Sequence, residues 1–420
     1  MLKSNKLVFF NTSSYYLINF SDYFLSLIIL PFLARTITVD GIGILGIANT
    51  LGIVCLLLME YGFSLSATRD IASKNSNTNI NLVASRVLLI RSMLIIPCVL
   101  ICLLSFFFLP IFSKYPLVVI FTFLTSLLNG FTPVWYFQGI QKVFPFAMLK
   151  ISTRVVFLIP IFLFVRTYND AWLVLFFQSI SSFIVCSVSL FWLFKNIKFE
   201  IISLEEIKNS LKDGWHAFSL TIVPPICLML SFYWLSTKFS LESIGLINTA
   251  ERIFRASISI FGPIGQAIYP FIISQLSKDR LLAVRQIKKA FWLYLILSTL
   301  AMIAIIFFAK PFITWYLGNS FFESAKLLQV FAISLPVIQV SYILGRQWML
   351  SVKLDKIVNT GVITSNLILL ISLFYFHDIY HIYSLPFSIL LSETALLIFY
   401  FIYLTYNRLG FWNIEPKGLK

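Results

Sequence analysis

Residues 243–274 read SIGLINTAERIFRASISIFGPIGQAIYPFIIS, an apolar run of membrane-spanning length whose only charges are Glu251, Arg252 and Arg255. In a helix that rises about 1.5 Å per residue, the two arginines lie roughly 13 and 18 Å from Ser243. A hydrocarbon core about 30 Å thick then places both near its middle. Because a charge at that depth costs about 2.5–3.5 kcal/mol, we expect these side chains to face a hydrated cavity or an anionic partner.

The whole chain has the composition of an integral membrane protein. Apolar residues make up 59% of its 420 residues, charged residues 12%, and the mean hydropathy is +0.91. The apolar runs are continuous and about 20 residues long, whereas the strands of a membrane β-barrel alternate and span about 10 residues. We therefore predict an all-α membrane protein with about 12 transmembrane helices, at residues 8–34, 42–66, 83–110, 116–138, 144–165, 171–194, 214–237, 243–274, 288–309, 322–345, 357–376 and 383–405.

A charged connection divides these segments into two groups of six. We predict an N-terminal lobe at 1–195, a cytoplasmic linker at 196–213 and a C-terminal lobe at 214–420. Residues 40–48 (DGIGILGIA) resemble residues 242–250 (ESIGLINTA), and both open the second segment of their half. Six helices per half give a parallel repeat, which predicts two similar bundles that rock about a central cavity.

Lysine and arginine predict the orientation. Of the 32 such residues, 24 lie at the termini and the even-numbered connections, six lie in the odd-numbered connections, and two are Arg252 and Arg255. Positively charged loops stay in the cytoplasm, so both termini are predicted to be cytoplasmic. A miscounted helix would reverse the later loops and destroy this bias.

Arginines are the first candidates for substrate binding. Arg252 and Arg255 point roughly the same way, and Glu251 can pair with Arg255 four residues later. One interpretation is a buried structural ion network; the other, which we favour, is an anion site, since the planar guanidinium grips phosphate with two hydrogen bonds. Arg91 and Arg154 either reach to the membrane interface or line the entrance of an anionic cavity. Arg35, at the outer end of the first segment, is expected on the exit side.

Polar residues of the first segment share one helix face, since they are spaced three and four apart: Thr12, Tyr15, Asn19, Asp22 and Ser26. The face is either a site of hydrogen bonding between helices or a cavity wall with Asp22 as a coupling or binding carboxylate. Glu60, Glu251 and Glu393 are further candidates for ion coupling, with structural pairing as the alternative.

Other chemistry has little support in the sequence. There is no glycine-rich phosphate loop, nucleotide motif or nucleophile elbow, so we expect no cofactor and no catalytic residues. We expect no metal at His377, Asp378 and His381, which lie in a short aromatic loop. The five cysteines lie in apolar runs and are interpreted as small hydrophobic residues. Pro224-Pro225 and Gly262-Pro263 are the best candidates for hinges.

Several motifs resemble those of Wzx-type polysaccharide flippases. They are residues 60–72 (EYGFSLSATRDIA), 30–35 (LPFLAR) with 40–43 (DGIG), 135–139 (WYFQG), and 250–256 (AERIFRA) followed by Pro263 and 266–270 (QAIYP). The resemblance implies the multidrug/oligosaccharidyl-lipid/polysaccharide exporter superfamily, with two six-helix lobes in a V. It implies an undecaprenyl-pyrophosphate-linked oligosaccharide, such as an O-antigen repeat unit, flipped across the bacterial inner membrane with proton or sodium coupling. The implied partners are this lipid-linked substrate, membrane lipids, and a polysaccharide polymerase and chain-length regulator, with no nucleic acid.

Three other functions compete with this interpretation. An exporter of drugs or small solutes in the same superfamily would favour cationic substrates and an acidic cavity. Arg252 and Arg255 argue against this function, because they would repel a cation. A membrane-embedded glycan polymerase or ligase would need a large outer loop with catalytic residues, and the outer loops here are short. A passive channel would need a charged ring or filter, and none is evident.

Overall fold

The computed structural model describes residues 25, 27–72, 79–276 and 280–412, and no β-strand occurs in this part of the chain. The chain packs as two compact units, Met1–Met229 and Leu230–Lys420. The predicted lobe and linker boundaries stay predictions.

The helices of the first unit follow one another with short connections. They are α1 (Leu27–Thr36), α2 (Thr38–Glu60), α3 (Phe63–Ala72), α4 (Ile80–Phe108), α5 (Pro110–Lys114), α6 (Pro116–Phe131), α7 (Val134–Gly139), α8 (Val143–Phe164) and α9 (Ala171–Phe194). The next helix, α10 (Leu204–Lys238), begins in the first unit and ends in the second.

The second unit continues with longer helices. They are α11 (Leu241–Ser259), α12 (Gly262–Leu276), α13 (Arg280–Leu317), α14 (Phe322–Tyr342), α15 (Asp355–Tyr380) and α16 (Ser384–Tyr406). A π-helical segment, Ile343–Met349, prolongs α14 by about two turns. Such segments are rare and frequently lie at functional sites.

Nine stretches of the described residues are long and apolar enough to cross a membrane. One of them, Asp355–Tyr406, contains both α15 and α16. The described part of α1 is shorter than the nine, and α11 has too many charged residues to be among them. The all-helical membrane fold is confirmed, and the count of twelve spans stays a prediction.

Three of the predicted membrane segments are interrupted in the structure. Segment 42–66 ends early at Glu60, because Tyr61 and Gly62 take positive φ angles of 40° and 76° and start a new helix, α3. Segment 116–138 breaks at Thr132-Pro133, since proline supplies no N–H to continue α6. Segment 243–274 breaks between Ser259 and Gly262, next to the predicted hinge at Gly262-Pro263.

The other predicted hinge, Pro224-Pro225, lies inside a continuous helix. The same helix begins within the predicted linker, at Leu204, where Ser203 and Glu206 exchange hydrogen bonds in a capping arrangement. The two hydrogen bonds that the Glu206 carboxylate accepts from the N–H and hydroxyl of Ser203 lower its pKa. The linker therefore enters the seventh span as helix.

The start of the linker is attached to the first turns of α4. The Asn79 amide donates to the Glu200 carboxylate at 2.6 Å, and the Lys198 N–H donates to the Asn81 side chain at 3.0 Å. The Glu200 N–H donates to the Ser85 hydroxyl at 2.9 Å. These three hydrogen bonds hold residues 198–200 against the first unit.

The motif WYFQG at 135–139 forms part of the core of the first unit. Trp135 is fully buried in the cluster that includes Tyr136 and Phe137. A Cβ atom at Gly139 would lie 2.7 Å from the Ile71 side chain, so α7 approaches α3 more closely than a larger residue allows. The packing of α3 against α7 gives this motif a structural role.

Candidate functional site

Glu251 and Arg255 form an ion pair on α11. The Ser240 hydroxyl accepts a hydrogen bond from the Ser243 N–H and caps the helix. Glu251 is buried, and the Arg255 Nε–H donates to its carboxylate. The Arg255 side chain nevertheless keeps 52% of its surface exposed. The predicted pairing over four residues is confirmed, and about half of the Arg255 side-chain surface stays accessible.

Arg252 is half-buried beside this pair. Its guanidinium interacts electrostatically with the Glu251 carboxylate and with the hydroxyl of Tyr316, in the last turn of α13. The buried carboxylate therefore acts on both arginines, and Tyr316 adds a polar group that the sequence did not single out.

A second carboxylate of this unit interacts with Arg255. Glu393, on α16, interacts electrostatically with Arg255 and with Arg346 of the π-helical segment. About two helical turns further along α16, Tyr400 interacts with both Glu393 and Arg346, and its hydroxyl donates to the Val358 carbonyl at 3.2 Å. We call Glu251, Arg252, Arg255, Arg346 and Glu393 the C-unit charge cluster. Its formal charge is +1.

Sequence reasoning missed Arg346. Counting charges assigned it to the connection after the tenth segment, which was predicted to end at residue 345. The π-helical segment instead carries the helix to Met349 and brings Arg346 into electrostatic range of Glu393. Proximity between separate helices leaves no local sequence signal.

The first unit has its own group of charged residues. Arg91 is only 2% exposed, and its Nη1 donates to the Thr132 carbonyl at 3.2 Å, where α6 breaks. Its Nε has no hydrogen-bond partner among the described residues. Glu60 interacts electrostatically with Arg91 and with Lys150 of α8. We call Glu60, Arg91 and Lys150 the N-unit charge cluster.

The burial of Arg91 contradicts one of the two interpretations that its position allowed. A side chain that reached to the membrane interface would be exposed at its charged end, whereas this guanidinium lies inside the unit. It stays inside because the Thr132 carbonyl, at the break between α6 and α7, accepts its hydrogen bond and Glu60 supplies the opposite charge. Lys150 was missed for the same reason as Arg346.

The remaining predicted residues are not brought together by the described structure. Arg154 is half-buried on α8, and Arg35 is exposed near the end of α1. Tyr15, Asn19 and Asp22 lie outside the described residues, so the polar face of the first segment stays a prediction.

Both clusters combine fixed positive charge with carboxylates inside helices that are otherwise apolar. Guanidinium groups suit phosphate or carboxylate ligands, and the nearby carboxylates suit protons or small cations. Among the described residues, no three histidine, cysteine or acidic side chains are grouped to hold a metal ion.

Two curated proteins are similar to this chain over most of its length. An Escherichia coli K12 protein is 27% identical over 367 residues, covering 84% of this chain and 86% of its own. A Shigella dysenteriae protein is 25% identical over 395 residues, covering 91% and 96%. Both carry the provisional name of O-antigen transporter.

Solved structures of membrane transporters share the fold. The lipid II flippase MurJ in an inward closed conformation matches with a TM-score of 0.72 at 16% identity, over 92% of this chain and 86% of MurJ. An inward-facing multidrug resistance MATE transporter of the MOP superfamily also matches with 0.72, at 14% identity and 96% coverage of both chains. The sequence profile of one family matches residues 8–277, which is more than half of the chain. This multi-pass membrane protein, with the MurJ- and MATE-like transporter fold, belongs to the polysaccharide biosynthesis protein family.

Proposed function

We propose that this protein flips an undecaprenyl-pyrophosphate-linked oligosaccharide, such as an O-antigen repeat unit, from the cytoplasmic to the periplasmic leaflet of the bacterial inner membrane. The observation that carries the proposal is the set of arginines in the C-unit charge cluster, in a family whose curated relatives are named as O-antigen transporters. Both termini face the cytoplasm, and the protein acts without catalysing a covalent reaction.

The pyrophosphate is bound by Arg252 and Arg255. The half-exposed Arg255 offers N–H groups that Glu251 does not occupy, because an arginine has five N–H donors and the ion pair uses its Nε. The polyprenyl tail stays in lipid while the sugars occupy a polar cavity. Alternating access of two six-helix lobes carries the headgroup across the membrane.

Ion coupling is assigned to carboxylates that the arginines also contact. Glu393 and Glu251 each lie within electrostatic range of Arg255, so a proton or sodium ion bound at one of them changes the charge that the pyrophosphate meets. Glu60 has the same relation to Arg91 in the N-unit charge cluster. Asp22 is a further candidate.

Complementation of a flippase-deficient strain with a defined glycan tests the proposal. Arg252→Ala and Arg255→Ala are expected to abolish surface glycan while the membrane level of the protein is unchanged, and Arg→Lys variants are expected to keep part of the activity. Arg285→Ala, an exposed arginine at the start of α13, is the matched control and should be fully active. Full display by both alanine variants of Arg252 and Arg255 would refute the anion site.

The second candidate is export of small solutes or drugs, since the MATE transporter matches this fold as well as MurJ does. A preference for cationic solutes would require the carboxylates to dominate the cavity, and the C-unit charge cluster instead has three arginines against two glutamates. Growth of an exporter-deficient strain on toxic organic cations distinguishes the two functions, because a flippase gives no protection.

A polysaccharide polymerase and a chain-length regulator are the proposed partners, because a flipped repeat unit has to be polymerised on the outer face. Co-purification from cells that produce the glycan tests this association.

A further inference from the structure

A groove in the second unit lies apart from the C-unit charge cluster. It has a volume of about 670 Å³ and lies among α13, α14, α16 and the turn that follows α16. Its walls are apolar and largely aromatic, with Leu344, Phe401 and Trp412 among them. Among the residues that the structure describes, Lys288 is the one charged side chain that lines it.

The groove is held in shape by aromatic packing. Phe401 stacks on Trp412 with ring centroids 5.1 Å apart, and Phe411 packs edge-on against both Trp412 and Trp348. The Trp348 Nε1–H donates to the Leu409 carbonyl at 2.8 Å and fixes the turn after α16 to the bundle. The wall formed by this turn is therefore built before any ligand arrives.

The groove opens outward and carries the positive charge of Lys288. Trp292 and Phe401 keep 59% and 53% of their surface exposed, so the lining is accessible from outside the unit. Lys288 is half-buried, and no acidic side chain pairs with it in the described part of the chain. An apolar groove with a single ammonium group at its wall matches a lipid whose headgroup is anionic.

We propose that this groove binds an anionic phospholipid, with an acyl chain against the aromatic wall and the phosphate beside Lys288. A lipid tail gains little when it moves from bulk lipid to an apolar protein surface, because both are similarly apolar. Selection of one lipid therefore depends on the headgroup and on the lysine.

The position of the groove argues for a resident lipid rather than for the transported substrate. Arg252 interacts electrostatically with Tyr316, in the last turn of α13, whereas Lys288 lies 28 residues earlier on the same helix. At about 1.5 Å per residue, roughly 42 Å along α13 separates Lys288 from Tyr316. The headgroup at Lys288 is therefore not the one held at Arg252.

Native mass spectrometry of the full-length protein tests the proposal. The protein is equilibrated in detergent with equal amounts of palmitoyl-oleoyl phosphatidylglycerol and palmitoyl-oleoyl phosphatidylcholine, and the retained lipid is counted. We expect phosphatidylglycerol to be retained preferentially, and Lys288→Gln to reduce this preference roughly fivefold, since a lysine near an anionic headgroup contributes about 1 kcal/mol. Ile398→Trp, which fills the groove, should reduce the retention of both lipids.

Lys289→Gln is the matched control, because this neighbour is exposed and does not line the groove. Equal retention by the Lys288 and Lys289 variants, or equal retention of the two lipids by the unchanged protein, would overturn the proposal. Undecaprenyl phosphate added as a competitor is expected to leave phosphatidylglycerol bound. Displacement that depends on Lys288 would assign the groove to the substrate and would also overturn the proposal, without bearing on the role of Arg252 and Arg255.

Discussion

At the scale of single residues, the arginines of the two clusters are balanced in two ways. Arg255 has a carboxylate partner on its own helix, at Glu251, and keeps half of its surface exposed. Arg91 instead uses a backbone carbonyl at a helix break and a carboxylate on another helix. The first arrangement leaves hydrogen-bonding capacity for a ligand, whereas the second leaves the guanidinium enclosed. The two arginines should therefore respond differently to substitution.

Substitution at the Glu251–Arg255 pair separates an anion site from a structural ion pair. If Arg255 binds the substrate, Arg255→Gln should lower surface glycan at least tenfold, and adding Glu251→Gln should not restore it. Gel analysis of surface glycan, with immunoblots of membranes for protein level, measures this. A double variant that regains display would mean that the pair only balances charge.

Arg91 is expected to contribute chiefly to stability. Arg91→Leu removes the hydrogen bond to the Thr132 carbonyl and one of the two positive charges that act on Glu60, and should lower the free energy of unfolding by about 2 kcal/mol, as the loss of a buried hydrogen bond from a charged group does. Adding Glu60→Gln should restore part of the loss. Arg86→Leu is the control, because its pair with Asp70 at 3.0 Å is partly exposed and contributes about 1 kcal/mol or less. Thermal unfolding in detergent measures the stability of both variants. A larger loss of stability in Arg86→Leu than in Arg91→Leu would contradict the structural role of Arg91.

At the scale of helices, hydropathy predicted the membrane segments, and glycine and proline decided where the helices break. The breaks at Tyr61-Gly62 and Thr132-Pro133 depend on backbone angles and on the missing N–H of proline, which the apolar pattern does not contain. Pro224-Pro225 shows the converse, because neighbouring turns keep α10 helical through two prolines. Local rules therefore identify candidate breaks, and packing selects among them.

The packing of α2 against α4 can be tested through cysteines. The Sγ atoms of Cys55 and Cys102 lie 3.8 Å apart, and the Cys98 thiol donates to the Cys55 carbonyl. In a protein that retains only Cys55 and Cys102, treating membranes with iodine, a membrane-permeant oxidant, should join the two thiols in a disulfide. The oxidised protein, once unfolded, should then resist labelling by maleimide. A protein that retains Cys55 alone is the control. Equal labelling of the two proteins after oxidation would contradict this contact between α2 and α4.

The start of α10 is expected to depend on its cap. Ser203→Ala removes the hydroxyl that accepts from the Glu206 N–H and should speed hydrogen exchange in the first turn. Ser210→Ala, inside the same helix, should not. The hydrogen bonds that the Glu206 carboxylate accepts from Ser203 lower its pKa in the folded protein. The stability that they give the folded protein is therefore complete above the unfolded-state pKa of about 4.3, and it is lost as the pH falls through the lower pKa of the folded state. Unchanged exchange in Ser203→Ala would show that the cap is dispensable.

At the scale of the whole molecule, the orientation depends on a helix that hydropathy alone would reject. α11 carries Glu242, Glu251, Arg252 and Arg255, and it is absent from the nine stretches of the described chain that have membrane-spanning composition. The predicted orientation has 24 lysines and arginines on the cytoplasmic side and six on the outer side, and this distribution requires α11 and α12 together to cross the membrane once. If they do not, every later connection changes sides.

Alkaline phosphatase fusions at three positions decide whether α11 and α12 cross, because the enzyme is active only when it is exported. Fusions after Phe239 and after Gly318 should be active, and a fusion after Lys353 should be inactive. The fusion after Phe239 precedes α11 and serves as the control. If the pair fails to cross, the fusion after Gly318 becomes inactive and the one after Lys353 becomes active, while the control is unchanged. That result would place Arg252 and Arg255 outside the hydrocarbon core and would remove the physical basis for an intramembrane anion site.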